Sequence, residues 1–178
     1  QEAALALPIF QAIVQESPNS RVFHFMLGIC ALKAEQPLLA QDAFRYTIKL
    51  DPNSASPLNA QASGLLAEAL LELGRSDEAL EHLALALKID EQNPELHFRY
   101  AELLHRQKKT DEALPHYERA IELFPAFAAA RAGLVVALAP SLESGNFEKA
   151  IPELEQAIER RPRNSDLHFR LAMAYVKA

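Results

Sequence analysis

Six histidines, one cysteine and the carboxylate pairs Asp77–Glu78 and Asp111–Glu112 are the residues of this chain best suited to metal or acid–base chemistry. Zinc needs several imidazoles or thiolates converging on one point. Proton transfer needs a histidine or carboxylate held against the reacting group. The spacing argues for neither. His24, His97 and His168 each stand directly ahead of a phenylalanine, Phe25, Phe98 and Phe169. His82 and His116 share a second register, and only His105 lies outside this phasing. Residues that keep step with a repeat most simply serve the repeat. His24, His97 and His168 would fall in the first, third and fifth units, roughly 10 Å apart per step, too far for a common zinc. Asp77–Glu78 and Asp111–Glu112 open helical stretches, where the positive end of the helix dipole already accounts for them. Cys30 sits in an apolar helical stretch with no neighbouring histidine and reads as a packed thiol. The sequence contains no HExxH, EF-hand loop, G-x-S-x-G or glycine-rich phosphate loop. No enzymatic activity, metal or cofactor is expected.

The elements that carry these residues recur. Pro18, Pro52, Pro125 and Pro162 fall at intervals of 34, 73 and 37 residues, and Glu91 divides the longest into 39 and 34. A period near 34 with helical patterning marks a solenoid of helix pairs. The clearest unit runs from Pro94 to about Phe127. Pro94 suits a first helical position, where no amide is needed. Leu96, Tyr100, Leu103 and Leu104 then form a stripe at three- and four-residue steps. Thr110 is expected to cap a second helix bearing Ala113, Tyr117, Ala120, Ile121 and Phe124.

The array is therefore read as a leading half repeat over 1–20, repeats over 21–54, 60–93, 94–127 and 128–164, and a trailing half repeat over 165–178. Within each repeat the two helices are named A and B. Two insertions break the period. Residues 55–59 form the first, although Pro57 after Ser56 could instead start an extended helix A. The second lengthens the inner loop of repeat 128–164, with Pro140 ending its helix A at about Ala139.

Composition narrows the partner. The 178 residues are 49% hydrophobic, enough for a continuous core, and carry a formal charge of −6. That balance speaks against phosphate-backbone binding, so no nucleic acid is expected. No apolar run approaches about 18 residues, so no membrane insertion is expected. One cysteine excludes an intramolecular disulfide and a thiolate zinc site, and does not separate cytosol from periplasm. The chain reads as an excerpt of a longer or processed protein.

The phased small and large residues resemble the tetratricopeptide repeat family. Leu27–Gly28, Leu66–Ala67, Tyr100–Ala101, Leu134–Val135 and Leu171–Ala172 match its large-small pair in helix A. Ala40, Ala79, Ala113 and Ala150 match the small residue early in helix B, and Phe44, Leu83, Tyr117 and Leu154 the large one a turn later. Thr47, Ala86, Ala120 and Ala157 match the next small place. Pro52, Pro125 and Pro162 match the terminal proline, from which Glu91 departs. The resemblance implies an all-α fold, a right-handed α-α superhelical solenoid of helix-turn-helix repeats. It also implies a groove lined by helices A that holds a protein or peptide.

By repeat phase the groove candidates are Val22, Phe25, Ile29 and Leu32, then Gly64, Glu68 and Glu72. Phe98, Arg99, Glu102 and Arg106 follow, and last Phe169, Arg170 and Met173. Some family members grip chaperone carboxylates with a Lys and an Asn four residues later on the first helix A. Phe25 and Ile29 stand at those places, so no such binding is expected. A rival reading makes the chain a spacer or self-association module. Leu5, Ile9, Ile13 and Val14 at one end, and Leu167, Leu171 and Val176 at the other, would then pair chains into a homodimer.

Overall fold

Ten helices follow one another among the described residues of the computed structural model, which are 2–52, 55–143, 147–160 and 162–177. They are α1 (Glu2–Glu16), α2 (Arg21–Lys33), α3 (Pro37–Lys49), α4 (Pro57–Glu72), α5 (Ser76–Ile89), α6 (Pro94–Arg106), α7 (Thr110–Leu123), α8 (Ala128–Glu143), α9 (Phe147–Arg160) and α10 (Ser165–Lys177). The fold is all-α, a run of helix-turn-helix repeats, with no strand among the described residues. The chain divides into two compact units, residues 1–96 and 97–178.

Local sequence explains where the helices begin and end. Ser20 and Ser56 accept bonds from the Phe23 and Asn59 amides, and Asn93 and Asn164 do the same for Leu96 and Leu167. Helix A passes to helix B through one repeated turn. Glu35, Gly74 and Lys108 share a left-handed backbone, with φ of 56°, 74° and 61°. The following amides of Gln36, Arg75 and Lys109 reach back to the Ala31, Leu70 and Leu104 carbonyls at 2.9, 2.8 and 3.0 Å. This is the Schellman closure, which satisfies carbonyls that the last helical turn leaves open. It also delivers the chain straight into helix B. Thr110 is consequently the first residue of α7, with Lys109 before it, and not the expected cap.

In the first unit the phased residues pack as their sizes demand. Phe44, Leu66, Leu70 and Leu83 are buried, among Ala31, Ala40, Ala62 and Ala79. Burying each large side chain contributes about 1.5–3 kcal/mol. Gly28 is needed for space, since a Cβ there would lie 2.5 Å from the Phe44 ring. Thr47, buried at a place usually taken by alanine, turns its hydroxyl to the Ala43 carbonyl at 2.9 Å. In the second unit Tyr117, Leu134, Leu154 and Leu167 fill the same roles among Ala113, Ala120, Ala150 and Ala157.

Both irregular stretches are absorbed by longer helices. Helix α4 starts at Pro57 under a Ser56 cap, so most of the 55–59 insertion is helix and Pro57 opens it. Arg21 holds this extra turn. Its guanidinium donates to Asp51 at 2.7 Å, to Asn59 at 2.5 Å and to the Thr47 carbonyl at 3.3 Å, while Asn59 donates to the Asp51 carbonyl at 2.8 Å. Helix α8 runs to Glu143, past Pro140, and is 16 residues long against 13 for α6. The expected end at Ala139 and the lengthened inner loop are thus replaced by a longer helix. A proline removes only one amide bond from a helix that packing otherwise supports. Pro8, Pro115 and Pro152 lie inside α1, α7 and α9 in the same way.

Candidate protein-binding faces

The histidines serve the scaffold. His24 and His168 each donate from Nε2 to a carbonyl six residues back, that of Pro18 or Pro162, at 2.8 Å in both cases. They tie the turn before a helix A to its first coil, the repeat-phased role their spacing suggests. His97 meets His116 with Nδ1 atoms 3.0 Å apart, and Tyr100 packs edge-on against the His116 ring. Burial, and then the neighbouring His97, lower the His116 pKa below its usual value. Burial also lowers that of His82, whose Nδ1 has no hydrogen-bond partner among the described residues. No group of three or more His, Cys, Asp or Glu converges among the described residues. Cys30 is a buried free thiol.

In the first unit the candidate face lies on α2 and α4. Val22 is 56% exposed, and Met26, one turn on, is 37% exposed. Ile29 and Leu32 are half-buried on the same helix. Phe25 is different: its ring turns into the core and meets Phe44 edge-on, centroids 5.9 Å apart. Gly64 is buried, and a Cβ there would stand 2.8 Å from Leu96, so it serves close packing. Glu68 is half-buried and already engaged, whereas Glu72 is exposed near the end of α4. Met26 was absent from the sequence candidates. Its signal was the i, i+4 step from Val22.

The first unit also carries a polar cluster on its B helices. Arg75 clamps Glu78 with two bonds of 2.6 and 2.5 Å and reaches across to Gln41, and Arg45 adds a 3.2 Å bond to Glu78. The Arg75 hydrogen bonds hold the Glu78 carboxyl below its ordinary pKa.

In the second unit the charges on α6 are mutually paired. Arg106 donates to Glu102 at 3.0 Å, an i, i+4 pair. Arg99 is half-buried and engaged. Phe98 is half-buried against Tyr117 and Phe127, at centroid distances of 6.2 and 5.1 Å. Burial, and then the nearby Glu102 charge, push the Tyr117 phenol up to about 12. On α10, Arg170 is half-exposed, while the side chains of Phe169 and Met173 lie outside the described residues. Of the end residues, Leu5 and Ile9 are strongly exposed, Ile13, Val14 and Leu171 half-buried, and Leu167 buried. Val176 lies outside the described side chains.

Helix pairs closed by one recurrent turn, and small residues phased with them, define a helical repeat protein. The particular repeat is established by comparison. Tetratricopeptide repeat models match residues 25–94, 94–127 and 141–178, and the chain belongs to the tetratricopeptide repeat family. No curated protein sequence matches it. Among solved structures it is similar to MamA, with 17% identity, a TM-score of 0.69 and coverage of 97% of this chain and 86% of that one. It is similar to YrrB, described as a TPR protein with an unusual peptide-binding site, at 22% identity and TM-score 0.67 over 94% and 82% of the two chains. It is also similar to a thermophilic TPR protein in Thermus thermophilus, at 20% identity and TM-score 0.62 over 98% and 91%. These identities establish a shared fold. The family's general role is to hold protein or peptide partners, and no described helix is long and apolar enough to cross a membrane.

Proposed function

We propose that this chain is a non-catalytic scaffold whose α2 face takes the apolar anchor of a protein partner. The observation that carries the reading is the exposure of Val22 and Met26 one turn apart on a helix A, beside the half-buried Ile29. An exposed apolar strip of this kind costs solvation unless something covers it, and a helical or extended segment with one large apolar residue suits it. The peptide-binding site for which YrrB is described lends the reading support by likeness of fold. Within the first unit Glu68 and Glu72 would flank such a segment, and within the second Arg106 would exchange Glu102 for a partner carboxylate.

The test is affinity capture from cells that make the protein, comparing the native chain with Val22→Glu/Met26→Glu. Partners retained by the native chain and lost by the variant, at unchanged far-UV circular dichroism, are expected. Identical capture by both chains at several salt concentrations removes the groove reading. A second reading, self-association, is favoured by one observation: Leu5 is 73% and Ile9 61% exposed on one face of α1. Light scattering over a hundredfold concentration range tests it, with Leu5→Glu/Ile9→Glu expected to remove any dimer. A monomer throughout would exclude it.

A further inference from the structure

In a chain whose acidic residues outnumber its basic ones, most arginines find a carboxylate. Arg21, Arg45, Arg75, Arg106, Arg119 and Arg160 pair with Asp51, Glu78, Glu78, Glu102, Glu122 and Glu118. The side chains of Arg131 on α8 and Arg163 after α9 are exceptions, with no hydrogen bond or ion pair among the described residues. These two line one cleft of about 390 Å³ in the second unit, together with Arg160. Ile121 and Pro125 give it apolar wall, and the acid that lines it, Glu122, is already held by Arg119 at 3.1 Å. Arg160 is likewise committed to Glu118. Arg131 and Arg163 therefore leave the cleft with two uncompensated guanidiniums.

Like charges confined together are unfavourable, and each guanidinium offers a planar fork matched to a carboxylate. A cleft of this size lies at the small end of ligand sites and admits one or two side chains of a peptide. We propose that the cleft lined by Arg131, Arg160 and Arg163 is a docking site for an acidic peptide segment that shares no residue with the α2 face. Its apolar wall suits the methylenes of glutamate and favours a peptide over a bare anion. The proposal rests on the reading that this chain binds protein, but it uses none of the residues on which the α2 face depends.

The probe is a fluorescein-labelled hexaglutamate peptide, followed by anisotropy at about 50 mM salt, where exposed charges are weakly screened. Saturable binding is expected, weakened about tenfold or more by Arg131→Glu/Arg163→Glu, which removes both unpaired forks. Lys33→Glu/Lys49→Glu, the same charge change at exposed positions outside the cleft, should weaken it by less than about twofold. If the double reversal fails to fold, Arg131→Gln/Arg163→Gln should still weaken binding about threefold or more. No saturable binding, or equal loss in Lys33→Glu/Lys49→Glu, overturns the site. So does displacement by equimolar inorganic phosphate, or tighter binding of an oligouridylate than of the peptide. None of these outcomes touches the Val22/Met26 capture test, so either reading can fail alone.

Discussion

Removing Arg21 should loosen the start of α4, because one guanidinium ties three separate stretches of chain together there. Arg21→Met keeps an unbranched apolar stem and deletes the guanidinium. Its three shortest bonds decide the cost, a fourth to Ser56 being long at 3.4 Å. Asn59 is 2% exposed, and its Oδ1 loses a 2.5 Å bond from a charged donor. A hydrogen bond to a charged group is worth about 1.5–3 kcal/mol, and about 1–2 is reasonable here because Asn59 keeps its bond to the Asp51 carbonyl. The Asp51 pair is worth less, about 0.2–1 kcal/mol, since that carboxylate is 45% exposed. The 3.3 Å bond to the Thr47 carbonyl is long and adds a few tenths of a kcal/mol. The expected destabilisation is therefore about 2–3 kcal/mol, or roughly 5–10 °C in melting temperature for a chain of this length. Urea unfolding followed by circular dichroism measures it. Arg106→Met is the internal standard, because it deletes an exposed i, i+4 pair worth about 0.5 kcal/mol or less. Equal midpoints for the two variants would falsify the claim that Arg21 fastens the start of α4.

Two further outcomes follow from the turns and the histidines. Gly74→Ala should lower stability by about 1 kcal/mol through its left-handed backbone alone, since nothing lies within 4 Å of the added Cβ. Glu35→Gly and Lys108→Gly should each raise it by about 0.5 kcal/mol, and unchanged urea midpoints across all three would refute the strain assigned to this turn. Folding lowers the pKa values of His116 and His82 below 6.5, so the unfolded chain binds more protons as pH falls through that value. Their stabilisation is complete above pH 6.5 and declines as acid enters. The urea midpoint should thus be lower at about pH 5.5 than at about pH 7.5, and His116→Gln should flatten that difference. A midpoint that does not move would sink it.

The packing code was legible because steric size repeats. Ala40, Ala79, Ala113 and Ala150 are small for the reason their spacing suggested, and Phe44, Leu83, Tyr117 and Leu154 fill the space beside them. The candidate face was less legible, because helical phase says which side a Cα faces and not where a long side chain goes. Phe25 and Phe98 share the groove phase yet turn to Phe44, Tyr117 and Phe127. The Arg21 cluster was invisible for a different reason. Its partners stand 26 to 38 residues away, across a stretch that broke the period. Pro140 misled because a proline forfeits a single amide bond, and the helix continues past it to Glu143.

The ion pairs also decide in what order charges become available to a partner. Arg106 is held by Glu102 in an exposed pair, so a competing carboxylate displaces about 0.5 kcal/mol or less. Arg160 is held by Glu118, a residue only 8% exposed, so pulling it away takes the cation from a buried carboxylate and costs more than parting the exposed Arg106 pair. Arg160 therefore acts on the cleft through its charge at a distance and keeps its place in the fold. Arg131 and Arg163 displace nothing when they bind. An acidic segment arriving at the second unit gains their full contact energy, and this sets the cleft apart from the candidate residues of α6, whose charges already neutralise each other.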